Sequence, residues 1–299
     1  MAQIGTLFPL GGPVPPDLVI GREGVIADVE QRMREGLSTM LVGPRRIGKT
    51  TVCEAVCANL ADDHIVVRVE VPERAEPREL LQLIIDRCAT LSLIDDVKRA
   101  AGVVKPLIER LLGHENIPLD LSGLINAPAS ELPVREVLRL PLELARERRH
   151  RGVLFLDELQ RVMGYDGGKE LLQDLVDLYG GAKEVAVLVD GSEERTFDGM
   201  LGEPVHFGKL VDRLRLEDSI PRPVWREPLR NRFEQAGLVL PDEQLEVLLT
   251  WGCEEPYRTM AASRYTALTA RKIGSDTVAA FDVQMGCDEA ERHLEDDGA

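Results

Sequence analysis

Residues 43–50 of this chain read Gly-Pro-Arg-Arg-Ile-Gly-Lys-Thr, and few segments so short constrain a fold so tightly. The octapeptide matches G-x-x-x-x-G-K-[ST] at every fixed position. It follows the apolar tetrapeptide Thr39-Met40-Leu41-Val42 and precedes an apolar-periodic stretch from Val52 to Leu60. Strand, loop and helix are therefore predicted in that order. The glycines let the backbone curl so that its N–H groups point inward at phosphate oxygens, and the helix N-terminus adds partial positive charge. In such a loop Lys49 reaches the β- and γ-phosphates of a nucleotide and the Thr50 hydroxyl holds Mg²⁺. Gly43, Pro44, Arg45, Arg46, Ile47, Gly48, Lys49, Thr50 and the adjoining Thr51 are accordingly the candidate nucleotide-binding residues.

A second segment, Gly152-Val153-Leu154-Phe155-Leu156-Asp157-Glu158, is an apolar run ending in two acids. A buried parallel strand delivers carboxylates at its C-terminal end in this way. Asp157 is predicted to hold Mg²⁺ through water, because that ion keeps most of its hydration shell. Glu158 is placed to polarise an attacking water as general base. Alone this pattern is a common strand end. Paired with the phosphate loop it points to nucleotide hydrolysis, and the long interval between the two leaves room for extra helices.

The 299 residues, 44% of them hydrophobic, suffice for one large domain or two modest ones. No stretch approaches the roughly 20 apolar residues of a membrane span. Met1 to Pro16 lacks the basic start of a secretory signal, and Gly11-Gly12-Pro13-Val14-Pro15-Pro16 reads as an irregular arm. Five cysteines without small-scaffold spacing suit a reducing, cytoplasmic setting. Cys53 and Cys57 share a helix face; with no matching Cys/His pair, core packing is favoured over a metal site. The formal net charge of −16 disfavours sequence-independent attraction to nucleic acid, which depends on Lys and Arg neutralising phosphates. The one dense basic run, Arg146-Glu147-Arg148-Arg149-His150-Arg151, reads first as a solvated helix end complementing the helix dipole. A partner surface, or an arginine reaching a neighbour's nucleotide, is the other reading.

Helical spacing of Val25, Ile26, Val29 and Met33 predicts a helix over about 24–35 closed by Gly36. Residues 65–71 read as a strand rich in β-branched residues, and a helix begins at Pro77. Residues 95–150 read as mostly helical, broken by Pro106, Pro118, Pro128, Pro133 and Pro141. A helix over about 168–179 and a buried strand over 184–190 follow. Strands alternating with helices predict an α/β fold with a doubly wound parallel sheet. From Pro221 the strand signal fades, and helices are predicted at about 224–236, 242–251, 256–272 and 276–294. Pro221-Arg222-Pro223 reads as a linker. The expected division is an arm at 1–17, a phosphate-loop ATPase core at 18–220 and a helical lid at 221–299.

With these parts placed, the sequence resembles the AAA+-related ATPases of the STAND type, especially their archaeal-type group. Four landmarks over residues 18–272 carry the resemblance: Gly21-Arg22-Glu23, the octapeptide at 43–50, Leu156-Asp157-Glu158-Leu159-Gln160, and Val189-Asp190-Gly191-Ser192. The resemblance implies that Gly21 and Arg22 pack near the adenine and that Ser192 sits near the γ-phosphate as a sensor. It also implies that the helical C-terminal segment closes over the nucleotide. Two departures stand out. Relatives carry Gly-Arg after the sensor strand where this chain has Gly208-Lys209, and lysine offers a point charge where arginine offers a planar fork. Arg195, Arg213 and Arg215 are the alternative candidates for an arginine acting on a neighbouring subunit. The lid motif, Gly-x-Pro in relatives, is here Gly252-Cys253-Glu254-Glu255-Pro256-Tyr257, longer by two.

The expected activity is MgATP binding and slow hydrolysis driving a conformational switch or a change of assembly. ATP and ADP would be its ligands, and a protein partner or self-association its readout. Two alternatives stay open: a DNA-associated AAA+ loader related to origin-recognition ATPases, and a non-hydrolysing nucleotide-dependent adaptor. Glu158 speaks against the adaptor, since a structural site needs no base. A GTPase is disfavoured because no Asn-Lys-x-Asp occurs, and a small-molecule kinase because no acceptor pocket can be named.

Overall fold

Four short runs of apolar and β-branched residues and one charged edge segment assemble into one parallel sheet, and their burial follows their place in it. The computed structural model describes residues 3–12, 14–73, 76–94, 134–191 and 207–296. The strands are β1 (Thr39–Val42), β2 (His64–Glu70), β3 (Arg151–Asp157), β4 (Val185–Asp190) and β5 (Asp212–Arg215), in the order β2-β3-β4-β1-β5. The central β4 is buried at every residue and β3 at all but its first, as unbroken apolar runs require when helices cover both faces. At the edge, β2 alternates buried with half-buried residues. The other edge, β5, was not foreseen. Its sequence Asp-Arg-Leu-Arg is charged, which hides a strand from pattern reading yet blunts an exposed edge against unwanted pairing.

Parallel neighbours need crossovers, and helices supply them. Helices α1 (Ile4–Leu7) and α2 (Glu23–Glu35) precede the first strand, and α3 (Lys49–Leu60), α4 (Pro77–Ile94), α5 (Val134–Arg148) and α6 (Gly168–Tyr179) lie between successive strands. Helices α7 (Arg222–Gln235), α8 (Asp242–Gly252), α9 (Pro256–Lys272) and α10 (Ala280–Asp296) follow the sheet. The chain divides into two compact units, one of residues 1–26, 43–55 and 216–299, the other of 27–42 and 56–215. In the first, Phe8 meets Phe233 edge-on at 5.0 Å within a core that includes Ile20, Trp225 and Leu229. In the second, sheet residues such as Met40, Leu154 and Val187 pack with Leu81 of α4 and Leu138 of α5.

Three expectations are corrected. Pro141 does not break its helix: it lies buried inside α5, where Leu138, Leu142 and Ala145 fill the core. Tertiary burial there outweighs the roughly 3 kcal/mol an interior proline costs. Pro106, Pro118, Pro128 and Pro133 lie outside the described residues. Pro221-Arg222-Pro223 is not a free linker but the N-cap and first turn of α7, where prolines lack an N–H that has no helical partner anyway. The last helix starts at Ala280 rather than near 276: Thr277 bridges Val239, and the Asp282 carboxylate accepts the Ala279 N–H at 2.8 Å. The basic run at 146–151 is a helix end with intramolecular partners. Arg146 pairs with Glu143 and Glu184, and Arg148 donates to the Leu91 carbonyl. Cys53 and Cys57 are buried. Among the described residues no helix is long and apolar enough to cross a membrane.

Helices α9 and α10 approach closely at Gly286, where an added Cβ would lie 2.5 Å from the Thr266 nitrogen and 2.7 Å from its Cα. Gly→Ala inside a helix ordinarily stabilises by about 1 kcal/mol. Overpacking against backbone costs about 1–3 kcal/mol and should reverse that sign. Gly286→Ala is therefore expected to lower the thermal midpoint, whereas Gly24→Ala, in open space on α2, should hold or raise it. A Gly286→Ala midpoint at or above wild type would contradict the packing.

Candidate functional site

The phosphate loop leaves β1 at Val42 and reverses direction through three residues with positive φ: Gly43 at 148°, Arg46 at 67° and Gly48 at 94°. Only glycine serves at 43, since a Cβ there would lie 2.5 Å from Ile47 Cδ1 and 3.2 Å from the Leu216 carbonyl oxygen. Ile47 is buried under the turn, and α3 begins at Lys49, so the helix N-terminus opens directly onto the loop. Lys49 is buried, its Nζ donating to the Gly43 carbonyl at 2.9 Å and the Pro44 carbonyl at 2.6 Å. Thr50 stands in the first turn of α3, and Thr51 Oγ1 accepts the Val14 N–H at 3.2 Å. Alternating right- and left-handed residues aim successive N–H groups into one concavity, and the helix dipole favours an anion there. The residues thus fit a phosphate chain.

Gly21 and Arg22 belong to the same unit and brace the loop. Gly21 has φ 66°, and a Cβ there would lie 2.5 Å from Ile220 Cγ2. The turn delivers Arg22 into the interior, where Nη2 donates to the Ile47 carbonyl at 3.2 Å and the Glu217 carbonyl at 2.8 Å. Burial pulls the Arg22 pKa below the usual arginine value, and the charges of Glu217 and Asp218 work the other way. Within this unit, the Arg46 guanidinium stacks over the Tyr257 ring, 4.7 Å from its centroid. Tyr257 was not among the residues picked from sequence, because nothing local marks a tyrosine so far along the chain as a partner of the loop.

The acidic strand end lies in the other unit. Register places Asp157 of β3 level with Asp190 of β4, and Asp190 level with Leu41 of β1. Asp157 is 5% exposed, and its Oδ1 has no hydrogen-bond partner among the described residues. An orphaned buried carboxylate oxygen fits a hard cation such as Mg²⁺. Among the described residues no three His, Cys, Asp or Glu side chains form a metal cage. Mg²⁺ with a nucleotide needs none, since it takes waters and phosphate oxygens. Glu158 adopts φ 57°, ψ 40°, turning the chain from β3 into the 3₁₀ segment Leu159–Gly164. Its N–H donates to Asp190 Oδ1 at 3.4 Å, and Gln160 Nε2 donates to its Oε2. Asp190 and Gln160 were quoted in the landmarks without being assigned a role. An acid ending a second all-apolar strand was the available signal for Asp190.

The structure therefore gathers Gly21, Arg22 and residues 43–51 in one unit, and Asp157 and Glu158 with Asp190 in the other. Ser192 and Arg195 lie outside the described residues. Lys209 is exposed on a 3₁₀ turn, Phe207–Lys209, while Arg213 and Arg215 are exposed on one face of β5.

Arg22→Ala should destabilise the protein by about 2–4 kcal/mol, because charge-assisted hydrogen bonds are lost and the Ile47 carbonyl is left unpaired. Arg22→Lys should recover only part of this, since an ammonium lacks the planar fork. Denaturant unfolding of the three proteins checks it; an Arg22→Ala curve overlying wild type would remove Arg22 from the bracing role.

Comparison with known proteins places this geometry. Residues 32–196, more than half of the chain, match a family described as AAA domain. No curated protein matches the sequence. Among solved structures, the Walker-type ATPase PABY2304 of Pyrococcus abyssi is similar at TM-score 0.66 and 17% identity, over 97% of this chain and 76% of that one. The Aeropyrum pernix ORC1 protein, solved in complex with DNA, is similar at TM-score 0.65 and 16% identity, over 97% and 70% of the two chains. The ORC2 protein of the same organism, in its ADPNP–ADP complexes, gives 0.62 and 18%, over 96% and 71%. At such identities the structural likeness establishes the fold, an α/β sheet of AAA+ type followed by helices. Together with the family match over the loop and the acidic strand, it leads to one conclusion: the chain belongs to the AAA domain family.

Proposed function

We propose that this protein is a STAND-type AAA+ ATPase that binds MgATP, hydrolyses it slowly and uses the cycle as a conformational switch. The observation that carries the reading is the left-handed phosphate loop opening onto the N-terminus of α3 with Lys49 buried beside it. In this reading the loop amides and Lys49 bind the phosphates, and Gly21 and Arg22 shape the adenine side. Thr50 and Asp157 would hold Mg²⁺, whose positive charge would offset the negative charge of the β- and γ-phosphates. Glu158, held by Gln160, would take a proton from the attacking water, and Ser192 is assigned the role of γ-phosphate sensor. Residues 18–220 act as core and 221–299 as lid, with 1–17 as an arm. The γ-phosphate favours one arrangement of lid and core only through contacts made better in that arrangement. Self-association or a protein partner in the cytoplasm reads the change.

A DNA-associated loader is the second reading, favoured by the likeness to ORC1 of Aeropyrum pernix, which was solved with DNA. The net charge of −16 weighs against it.

Lys49→Ala is expected to weaken MgATP binding about ten- to hundredfold, the equivalent of about 1.5–3 kcal/mol for hydrogen bonds to a charged group. Calorimetric titration measures it, and an unchanged affinity in folded protein would remove Lys49 from the site. Glu158→Gln keeps the side-chain shape but cannot accept a proton. It should bind MgATP as wild type does and turn over about 10²–10⁴ times more slowly. The same variant, sized with MgATP and with ADP, tests the switch. A nucleotide-dependent change of assembly supports it, retention on duplex DNA supports the loader, and neither supports the adaptor.

A further inference from the structure

We propose that Tyr257 is a positioning residue for the phosphate loop, acting through Arg46 and tying the state of the loop to the last two helices. The inference rests on the nucleotide-binding reading of the loop. Arg46 holds a left-handed conformation, φ 67°, which costs a non-glycine residue energy unless its surroundings impose it. Its guanidinium lies 4.7 Å from the Tyr257 ring centroid, within cation–π range. The Tyr257 hydroxyl lies 3.1 Å from His293 Nε2, and the His293 ring meets Tyr265 edge-on with centroids 5.8 Å apart. A continuous series of contacts thus runs from the loop, through the first turn of α9, to the last turn of α10. All of it lies within one unit.

The backbone fixes where Tyr257 stands. Helix α8 ends at Gly252, whose Cα sits so close to α9 that a Cβ would lie 2.4 Å from Thr259 Oγ1. Cys253 and Glu254 then take φ 50° and 63°, and Pro256 opens α9 with Tyr257 as its second residue.

The stack restrains Arg46 in the conformation that keeps the neighbouring amides pointing inward. Without it, the loop must be ordered when phosphates arrive, and that ordering subtracts from affinity. Linkage makes the coupling reciprocal: phosphates that fix the loop also fix α9 and α10. The lid helices sense nucleotide through this aromatic contact.

The test is a double-mutant cycle in the full chain, titrated with Mg²⁺ and a non-hydrolysable ATP analogue. Tyr257→Leu and Arg46→Ala should each weaken binding, the former about two- to fivefold, the usual worth of an exposed cation–π contact. The double variant should bind no more weakly than Arg46→Ala alone, and Tyr257→Phe, which keeps the ring, should restore what Tyr257→Leu loses. Hydrogen exchange over residues 280–296 should slow with the analogue in wild type and much less in Tyr257→Leu. Multiplicative effects in the double variant, wild-type affinity in folded Tyr257→Leu, or equal protection of 280–296 in both proteins would overturn the inference. Wild-type protein that fails to bind the analogue would overturn the nucleotide reading itself, and this inference with it.

Discussion

A phosphate loop presents its amides inward only if the backbone turns left-handed where most residues resist it, and the first unit is arranged around holding that turn. Arg46 cannot relax to negative φ without swinging the neighbouring N–H groups away. Three contacts oppose the relaxation from different sides. Ile47 is buried against Gly43, Arg22 clamps the Ile47 carbonyl from below, and Tyr257 lies against the Arg46 guanidinium. Arg22 is the most costly of the three, since desolvating a guanidinium is unfavourable and it meets backbone carbonyls there. A buried cation spent on the shape of a loop makes sense where that shape is what the fold must deliver.

In the second unit the constraint is register. A parallel sheet carries all its strand ends the same way, so acids ending β3 and β4 fall at one level. Asp190 uses that proximity to accept the Glu158 N–H, which supports the left-handed turn bringing the chain off β3. Asp157, one residue earlier, keeps a buried oxygen without a partner among the described residues. One acid organises the turn and the other retains unspent electrostatic capacity.

What the sequence made legible follows from how local each signal was. The loop announces itself because its glycines, lysine and threonine are contiguous, and β3 and β4 because burial on both faces leaves no polar position. Pro141 misled because propensity is local while the apolar face of α5 is not. The start of α10 was misplaced because Thr277 finds a bridging partner at Val239, a long-range pairing that periodicity cannot see. Strand β5 was missed because an edge strand is selected to look charged. Arg22 was found for its motif, but its work on the loop depends on carbonyls at 47 and 217, which no spacing rule connects. Tyr257 is the same case with Arg46.

Strain marks the functional elements independently of any motif. Among the described residues, five non-glycine residues have positive φ: Arg46, Arg149, Glu158, Cys253 and Glu254. Each such residue costs on the order of 1–3 kcal/mol and persists only where the surrounding structure over-determines it. Arg149 follows the last residue of α5, an ordinary place for a left-handed residue. The other four lie in the phosphate loop, at the end of the acidic strand, and in the turn that sets Tyr257. A fold that needed only stability would put glycine at such positions, as this chain does at 21, 36 and 167. Retaining arginine and glutamate there means the side chain is worth more than the relief of strain. Arg46 spends its guanidinium on Tyr257, and Glu158 presents its carboxylate to Gln160, so the strained positions carry the groups the proposed chemistry uses.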